Sequence, residues 1–222
     1  RANKKIYLLY MFTEKAPITI PVKDEGKTFP VGNIYCVGRN YVAHAIEMGE
    51  DKRVPPFFFS KASWTIAREI IEYPKGTSSL QHEVELVIAV GEESSIYGFS
   101  VGVDLTRRDI QKEAKISGKP WFRGKNFQGS SVISEIVLLN PNTDLNTLEL
   151  ELYVNDNIKQ KGKCSDMIWN PGEIMCELTK EIELKAGDLI FTGTPDGVGD
   201  LEKDDRVLIS IPGYVSHDFR IK

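Results

Sequence analysis

Gln81-His82-Glu83-Val84-Glu85-Leu86-Val87-Ile88-Ala89-Val90-Gly91 is the stretch on which the reading of this chain turns. It alternates at its start, runs on apolar, and predicts a strand over residues 83–90. Side chains at i and i+2 of a strand point to one face, which puts Glu83 and Glu85 side by side. Two adjacent carboxylates repel, and one takes up a proton unless a cation lies between them. Asp104 adds a third carboxylate from a second strand-like run, YGFSVGVDLT. Carboxylates without a histidine or thiol partner suit a hard cation, Mg²⁺ first and Mn²⁺ or Ca²⁺ next. The Glu-x-Glu spacing alone is met equally by two solvated glutamates on a surface strand. His82 abuts the pair but points to the opposite strand face from Glu83, so it is not counted as a ligand.

Composition narrows the class. At 222 residues the chain has room for one domain, or one with a small appendage. A net charge of −4 argues against a nucleic-acid footprint. No run approaches the roughly 20 apolar residues of a membrane span. Cys36, Cys164 and Cys176 are widely spaced and form no Cys-x-x-Cys pair. They read as free thiols in a reducing compartment, the cytoplasm, with Cys36 a buried packing residue. The opening RANKKIYLLYMF has a short apolar run but no small-residue cleavage site after it. We expect Met11 to be the natural start and residues 1–10 to derive from upstream; a genuine first strand is the alternative. Residues 1–30 are read as an N-terminal extension, with an extended Pro/Lys/Gly-rich lead-in over 13–33, and residues 31–222 as the main domain.

Ile34–Val37 predicts a short strand, and Asn40 a cap for a helix that Gly49 stops. Further strands are expected at 57–59, 97–104, 132–138, 148–154, 159–162, 189–192, 207–211 and 215–221, with 65–73 extended. Asn155-Asp156-Asn157 is a turn signal from which 159–162 returns as a hairpin, and helices are expected over TRRDIQKEAKIS and over GEIMCELTKEI, which Asn170-Pro171-Gly172 opens. The total of about ten strands and three helices reads as β-rich α+β with a dominant mixed sheet.

Other residues carry chemistry. His44 and Glu47 lie three apart on the first helix, where a carboxylate can orient a general base; a solvated pair near a helix end is the plainer reading. Lys125 lies between aromatics in WFRGKNF and could be desolvated and aimed at an oxyanion; a surface lysine with its stem on the rings is the plainer reading. The loop GTPDGVG, residues 193–199, can bring backbone N–H groups to an anion but opens no helix, so it is no nucleotide fingerprint. No Gly-x-Ser-x-Gly elbow surrounds Ser130, Ser131 or Ser165. His217 is read as structural or exposed.

In this order the phrases YCVGRNYVAHAIEMG, PPFFFSK, HEVELVIAVG, VGVDLTRRDIQ, GKPWFRGKNF and IFTGTPDGVG resemble the fumarylacetoacetate hydrolase family over nearly all of residues 30–222. Within it the chain is most similar to fumarylpyruvate hydrolases and to acylpyruvate hydrolases with oxaloacetate decarboxylase activity. The resemblance implies a β-rich roll of mixed sheets, a homodimer, and a metal in a cleft. It implies Glu83, Glu85 and Asp104 as metal ligands, His44 and Glu47 as the catalytic pair, and Lys125 as the site lysine. Substrate contacts fall on Arg39, Arg108, Gln111 and Thr194. Larger members carry a further acidic ligand, so the three carboxylates here would be completed by waters or substrate. Asn126 after Lys125, and Ser60-Lys61-Ala62-Ser63 in place of the usual lysine–proline phrase, depart from the pattern.

The implied activity is Mg²⁺-dependent hydrolysis of a C–C bond in a 2,4-diketo acid such as fumarylpyruvate, a step in aromatic-acid breakdown. Decarboxylation or tautomerisation of oxaloacetate at the same metal is the alternative, and a non-catalytic metal-binding homologue the third reading. Mostly exposed carboxylates would release the ion readily to a chelator. Residues 49–63 and 115–124 are candidate lid segments, with Arg53 or Lys119 as candidates for a distal carboxylate.

Overall fold

The computed structural model describes residues 16–41 and 54–222. In its first half the strands are β1 (Thr19–Val22), β2 (Lys27–Pro30), β3 (Ile34–Gly38), β4 (Phe57–Lys61), β5 (Ile66–Ala67), β6 (Ile70–Ile71), β7 (Leu80–His82), β8 (Val84–Val90), β9 (Ile96–Asp104) and β10 (Thr106–Arg107). Helices α1 (Arg108–Ile116) and α2 (Phe122–Lys125) follow. Next come β11 (Ser131–Ile133), β12 (Val137–Leu138), β13 (Glu149–Val154), β14 (Asn157–Lys163) and helix α3 (Pro171–Thr179). The chain ends with β15 (Leu189–Phe191), β16 (Gly199–Leu201), β17 (Arg206–Ile211) and β18 (Val215–Ile221). This is the β-rich α+β class expected, a mixed sheet with few helices.

The largest sheet runs β4-β3-β15-β8-β9-β11-β5, with β12 also on β9. Its β3–β15 and β11–β5 pairs are parallel and its β8–β9 and β15–β8 pairs antiparallel. Strand β8 is central and buried along its whole length, which is why its sequence reads as a nearly unbroken apolar run. Val84, Leu86, Ile88 and Val90 share one core with Leu150, Leu152, Ile209 and Phe219 of a second sheet, β14-β13-β17-β18-β6. Val87 and Ala89 face the other way, onto Phe191 and onto Ile20, Val22 and Phe29 of the β1–β2 hairpin. Each such side chain contributes roughly 1.5–3 kcal/mol on burial, so the two cores can tolerate a charged pocket at one end of the ladder. A third sheet, β10-β7-β16, contains the segments just before Glu83 and just after Asp104, with β16 added on β7.

Several elements differ from expectation for physical reasons. The lead-in at 13–33 contains the β1–β2 hairpin, whose Ile20, Val22 and Phe29 are buried. The single strand expected over 132–138 is β11 and β12, divided around Ser134, whose side chain bonds Ser100. The strand begins at Val84, one residue after Glu83. The short strands β5, β6, β10 and β16 form only through partners far along the chain, which leaves no local pattern to read.

Other local signals act directly. Asn155 and Asp156 take φ of 48° and 64°, the left-handed pair that a two-residue hairpin turn needs. Helix α3 opens with a capping box: Asn170 and Glu173 each accept the other's backbone N–H at 3.0 Å, and Pro171 takes the first turn. The helix expected from Asn40 lies outside the described residues. Asn40 itself is a buried tie: its Nδ2 donates to the carbonyls of Trp169 and Thr192, and its Oδ1 accepts the Trp169 N–H.

Candidate active site

Register builds the acidic centre. Val84 pairs with Val103 and Glu85 with Gly102, and Asp104 N donates to Glu83 O at 2.9 Å. Glu83 therefore stands opposite Asp104, with Glu85 one step along the same face. Like charges directly opposed across a ladder repel. One oxygen from each of the three carboxylates lies within 4.8 Å of the others. They are not the exposed groups expected: Glu83 is 9 % exposed, Glu85 2 % and Asp104 0 %. The ladder continues into the core beneath them, so the charges are sunk at the end of a buried strand pair.

Three cations compensate two of these carboxylates. Lys125 Nζ donates to Glu83 Oε2 at 2.7 Å, to Asp104 Oδ2 at 2.5 Å and to Thr106 Oγ1 at 2.7 Å. Lys61 Nζ donates to Asp104 Oδ1 at 2.5 Å and to the Ser130 carbonyl. Arg108 pairs with Glu83. Burial opposes ionisation of Glu83, but Lys125 and Arg108 outweigh it and hold the carboxyl down at about 2. Burial likewise works against the Lys125 ammonium, and Asp104 and Glu83 outweigh it, so its pKa is raised.

Glu85 is different. Its Oε2 accepts the Gly193 N–H at 2.6 Å, and among the described residues no cation pairs with it. Burial, then Asp104 and Glu83, push its carboxyl well above the usual range. The glycine-rich loop does bring an N–H to a carboxyl, and the carboxyl is the protein's own. Only glycine serves at 193: φ is 96°, and a Cβ would lie 2.7 Å from the Asn40 Cβ. An all-oxygen donor set with one buried, uncompensated carboxyl fits a hard divalent ion.

The four expected substrate contacts, Arg39, Arg108, Gln111 and Thr194, line one cleft together with the triad and Lys125. Arg108 donates through Nε to Gln81 Oε1 and through Nη1 to Gln111 Oε1, both at 2.6 Å. A guanidinium only donates, so Gln111 must turn its oxygen to it and keep its NH₂ for the cleft.

A similar polarity argument fixes Thr194. Val84 N donates to Gln160 Oε1 at 3.0 Å, so Gln160 Nε2 is the donor to Thr194 Oγ1 at 2.9 Å and to the Pro195 carbonyl at 3.0 Å. Thr194 accepts there and is left to donate its own O–H. His82 is buried behind the relay, with Nδ1 2.8 Å from the same Gln160 oxygen. Burial lowers its pKa, so it stands as the neutral Nδ1–H donor.

Aromatic rings wall the cleft. Phe57 meets Trp121 edge-on at 5.3 Å, and Phe59 lies 5.9 Å from the same ring. Gly38 makes room, since a Cβ there would lie 2.0 Å from Phe57 Cζ. The next residue, Arg39, holds φ of 58°, a strained conformation for a side-chain-bearing residue at the cleft edge. Of the two candidate lid segments, residues 57–61 are the edge strand β4, and 122–125 form helix α2. Neither is free loop throughout. Lys119 does not line the cleft, where Lys115 does.

His44, Glu47 and Arg53 lie outside the described residues. Lys61, Thr106 and Gln160 escaped the sequence reading. A lysine closing the apolar strand FFFSK was the available signal for Lys61. Gln160 sits in the polar stretch NIKQKGK and gave none.

A family model described as "Fumarylacetoacetate (FAA) hydrolase C-terminal" matches residues 33–221. Among curated relatives, the mitochondrial oxaloacetate tautomerase FAHD1 of Mus musculus is 37% identical over 202 residues, covering 86% of this chain and 91% of that one. Oxaloacetate tautomerase YcgM of Escherichia coli is 35% identical over 199 residues, covering 84% and 91%. Among solved structures, fumarylpyruvate hydrolase from Pseudomonas aeruginosa, in complex with Mn²⁺ and pyruvate, superposes with a TM-score of 0.89 at 36% identity, covering 96% of this chain and 98% of that one.

Proposed function

The chain belongs to the fumarylacetoacetate hydrolase family, and from that premise we propose that it is a divalent-metal enzyme that hydrolyses a C–C bond of a 2,4-diketo acid, releasing pyruvate. The observation that carries this is the buried carboxylate cluster with Glu85 uncompensated, at the floor of a cleft lined by donors. Glu83, Glu85 and Asp104 would hold the ion. When bound, it would supply Lewis acidity and a template for the 1-carboxylate and 2-oxo oxygens. Mg²⁺ is our first choice, and a relative's complex with Mn²⁺ keeps that ion beside it.

The protein's own groups do the rest. The Arg108 guanidinium and the Gln111 NH₂ orient the carboxylate end. The Thr194 O–H donates to a substrate oxygen, its direction set by Gln160. His44, with Glu47 beside it, is the base we assign to the attacking water. Attack at C4 and cleavage of C3–C4 leave negative charge on the pyruvate-derived half. The Lys125 ammonium, already inside the cluster, stabilises that charge. Protonation at C3 completes pyruvate, and the other half leaves as a carboxylic acid, fumarate when the substrate is fumarylpyruvate.

A second reading keeps the site and drops the water. Oxaloacetate tautomerisation needs only loss or gain of a proton at C3 matched by gain or loss of one at the C2 oxygen, and the curated relatives named above carry that activity in their names. Metal-dependent turnover of fumarylpyruvate, acetylpyruvate and oxaloacetate separates the two, followed by pyruvate release and by enol absorbance. Pyruvate from a diketo acid, lost by about 10² or more in His44→Ala, supports hydrolysis. Enol–keto exchange of oxaloacetate with inert diketo acids supports the second reading. No turnover of any of the three with metal bound overturns both.

A further inference from the structure

Helix α1 carries Arg108, Gln111 and Lys115 at i, i+3 and i+7, so the three share the face that lines the cleft. Arg108 is committed at the inner end to Glu83, Gln81 and Gln111. Lys115 stands two turns farther out, about 10 Å along the axis by helix rise. Its Nζ lies 4.7 Å from the centre of the Trp121 ring, and among the described residues no carboxylate forms an ion pair with it. The charges that face it are Arg108 on its own helix, Arg39 at the end of β3 and Lys125 on α2, with Glu83 the anion among them. Burial and these cations lower its pKa. A half-buried ammonium held among like charges is in an unfavourable state that an incoming anion relieves.

We propose that Lys115, seated on Trp121, receives the far carboxylate of a dicarboxylic 2-oxo acid and sets the preference of the cleft for a dicarboxylate over a monocarboxylate. This rests on the function proposed above, because it places the 2-oxo acid end at the triad. A seven-carbon acid is a probe of suitable reach: its C2 and C7 are five carbon–carbon bonds apart, about 6 Å when extended, whereas a four-carbon acid has its second carboxylate only two bonds from C2. Phe57, Phe59 and Trp121 wall the path between, flat surfaces suited to a conjugated carbon chain.

The test is titration calorimetry of the full chain with saturating Mn²⁺, comparing 2-oxoheptanedioate with 2-oxoheptanoate. The two differ only in the far carboxylate, and neither has the 4-oxo group that cleavage needs. The dicarboxylate should bind tighter by about tenfold or more, the contribution of a hydrogen bond to a charged group. Lys115→Met should bring the ratio of the two dissociation constants to about one, and Lys115→Arg should restore most of it. Equal binding of the two acids by the wild type, or an unchanged ratio in K115M, overturns the assignment while leaving the 2-oxo acid site intact. Failure of the underlying function has a different signature: neither acid binds although Mn²⁺ does, and both proposals fall together.

Discussion

The two faces of the β8–β9 ladder are built from the same residues' neighbours yet do opposite things. On one face the opposed pairs are Val84–Val103, Leu86–Val101 and Ile88–Phe99, all buried against the second sheet. On the other they are Glu83–Asp104, Glu85–Gly102 and Val87–Ser100, grading from charge to apolar over a few residues. The apolar face is satisfied by any close-packed partner. The acidic end is satisfied only by specific donors, so Lys61, Lys125, Arg108 and the Gly193 N–H converge on it from β4, α2, α1 and the loop after β15. Packing stabilises one face without direction, whereas the other depends on individual atoms.

Breaking the acidic face should have the largest effect. Asp104→Ala removes the carboxylate that both buried lysines share and leaves Lys61 with only the Ser130 carbonyl, and an uncompensated buried charge costs about 3–5 kcal/mol. Urea unfolding of the metal-free protein should register this, and calorimetry should show loss of tight Mn²⁺ binding; an unchanged midpoint would contradict the account of the cluster. Leu86→Ala, on the opposite face, should cost about 2–5 kcal/mol by cavity formation. It should spare Mn²⁺ affinity, and a large fall in affinity would mean that the two faces are not independent.

Gln160→Leu probes the relay behind the cleft. It strands the Val84 N–H and the His82 ring, each worth about 1–3 kcal/mol when left unsatisfied, and it frees Thr194 to rotate. A lower unfolding midpoint together with a raised KM is expected; stability loss with unaltered KM would confine Gln160 to the core.

The smallest effect should be at Asp109, at the start of α1. Burial disfavours its charge, but hydrogen bonds from Thr77, Ser78 and the Ile110 N–H outweigh that and lower its pKa. A carboxyl depressed in the folded state stabilises above its unfolded pKa of about 3.9 and loses that contribution as pH falls below it. Asp109→Asn should therefore cost about 1 kcal/mol at neutral pH, and the gap to wild type should close as pH falls below about 4. A gap constant with pH would assign the effect to the lost acceptor geometry alone.

How much was legible in advance follows from which interactions are local. The strand carrying Glu83 and Glu85, the Asn155-Asp156 turn and the start of α3 near Asn170 all announce themselves within a few residues, because alternation, left-handed φ and capping are short-range effects. Lys61 and Thr106 reach the site region from strands whose places are decided by pairing with distant chain, and Gln160, on a locally formed hairpin, acquires its role only through side-chain bonds to Val84 and Thr194. The burial of the acidic residues was misread for the same reason. Glu-x-Glu looks solvated until β15 on one side and β9 on the other enclose the strand.

By itself, then, the amino-acid sequence determined the β-rich class, the family, and which carboxylates share a strand face, since period-2 alternation and motif order are properties of the chain alone. Only the tertiary structure decided that Glu83 opposes Asp104, that two lysines compensate this pair while Glu85, among the described residues, has only an N–H, and that Lys115 lines the cleft without a carboxylate ion-paired to it among those residues. Register and charge environment are sums over residues distant in sequence, and a side chain's protonation and partners depend on what the fold brings within a few ångströms of it.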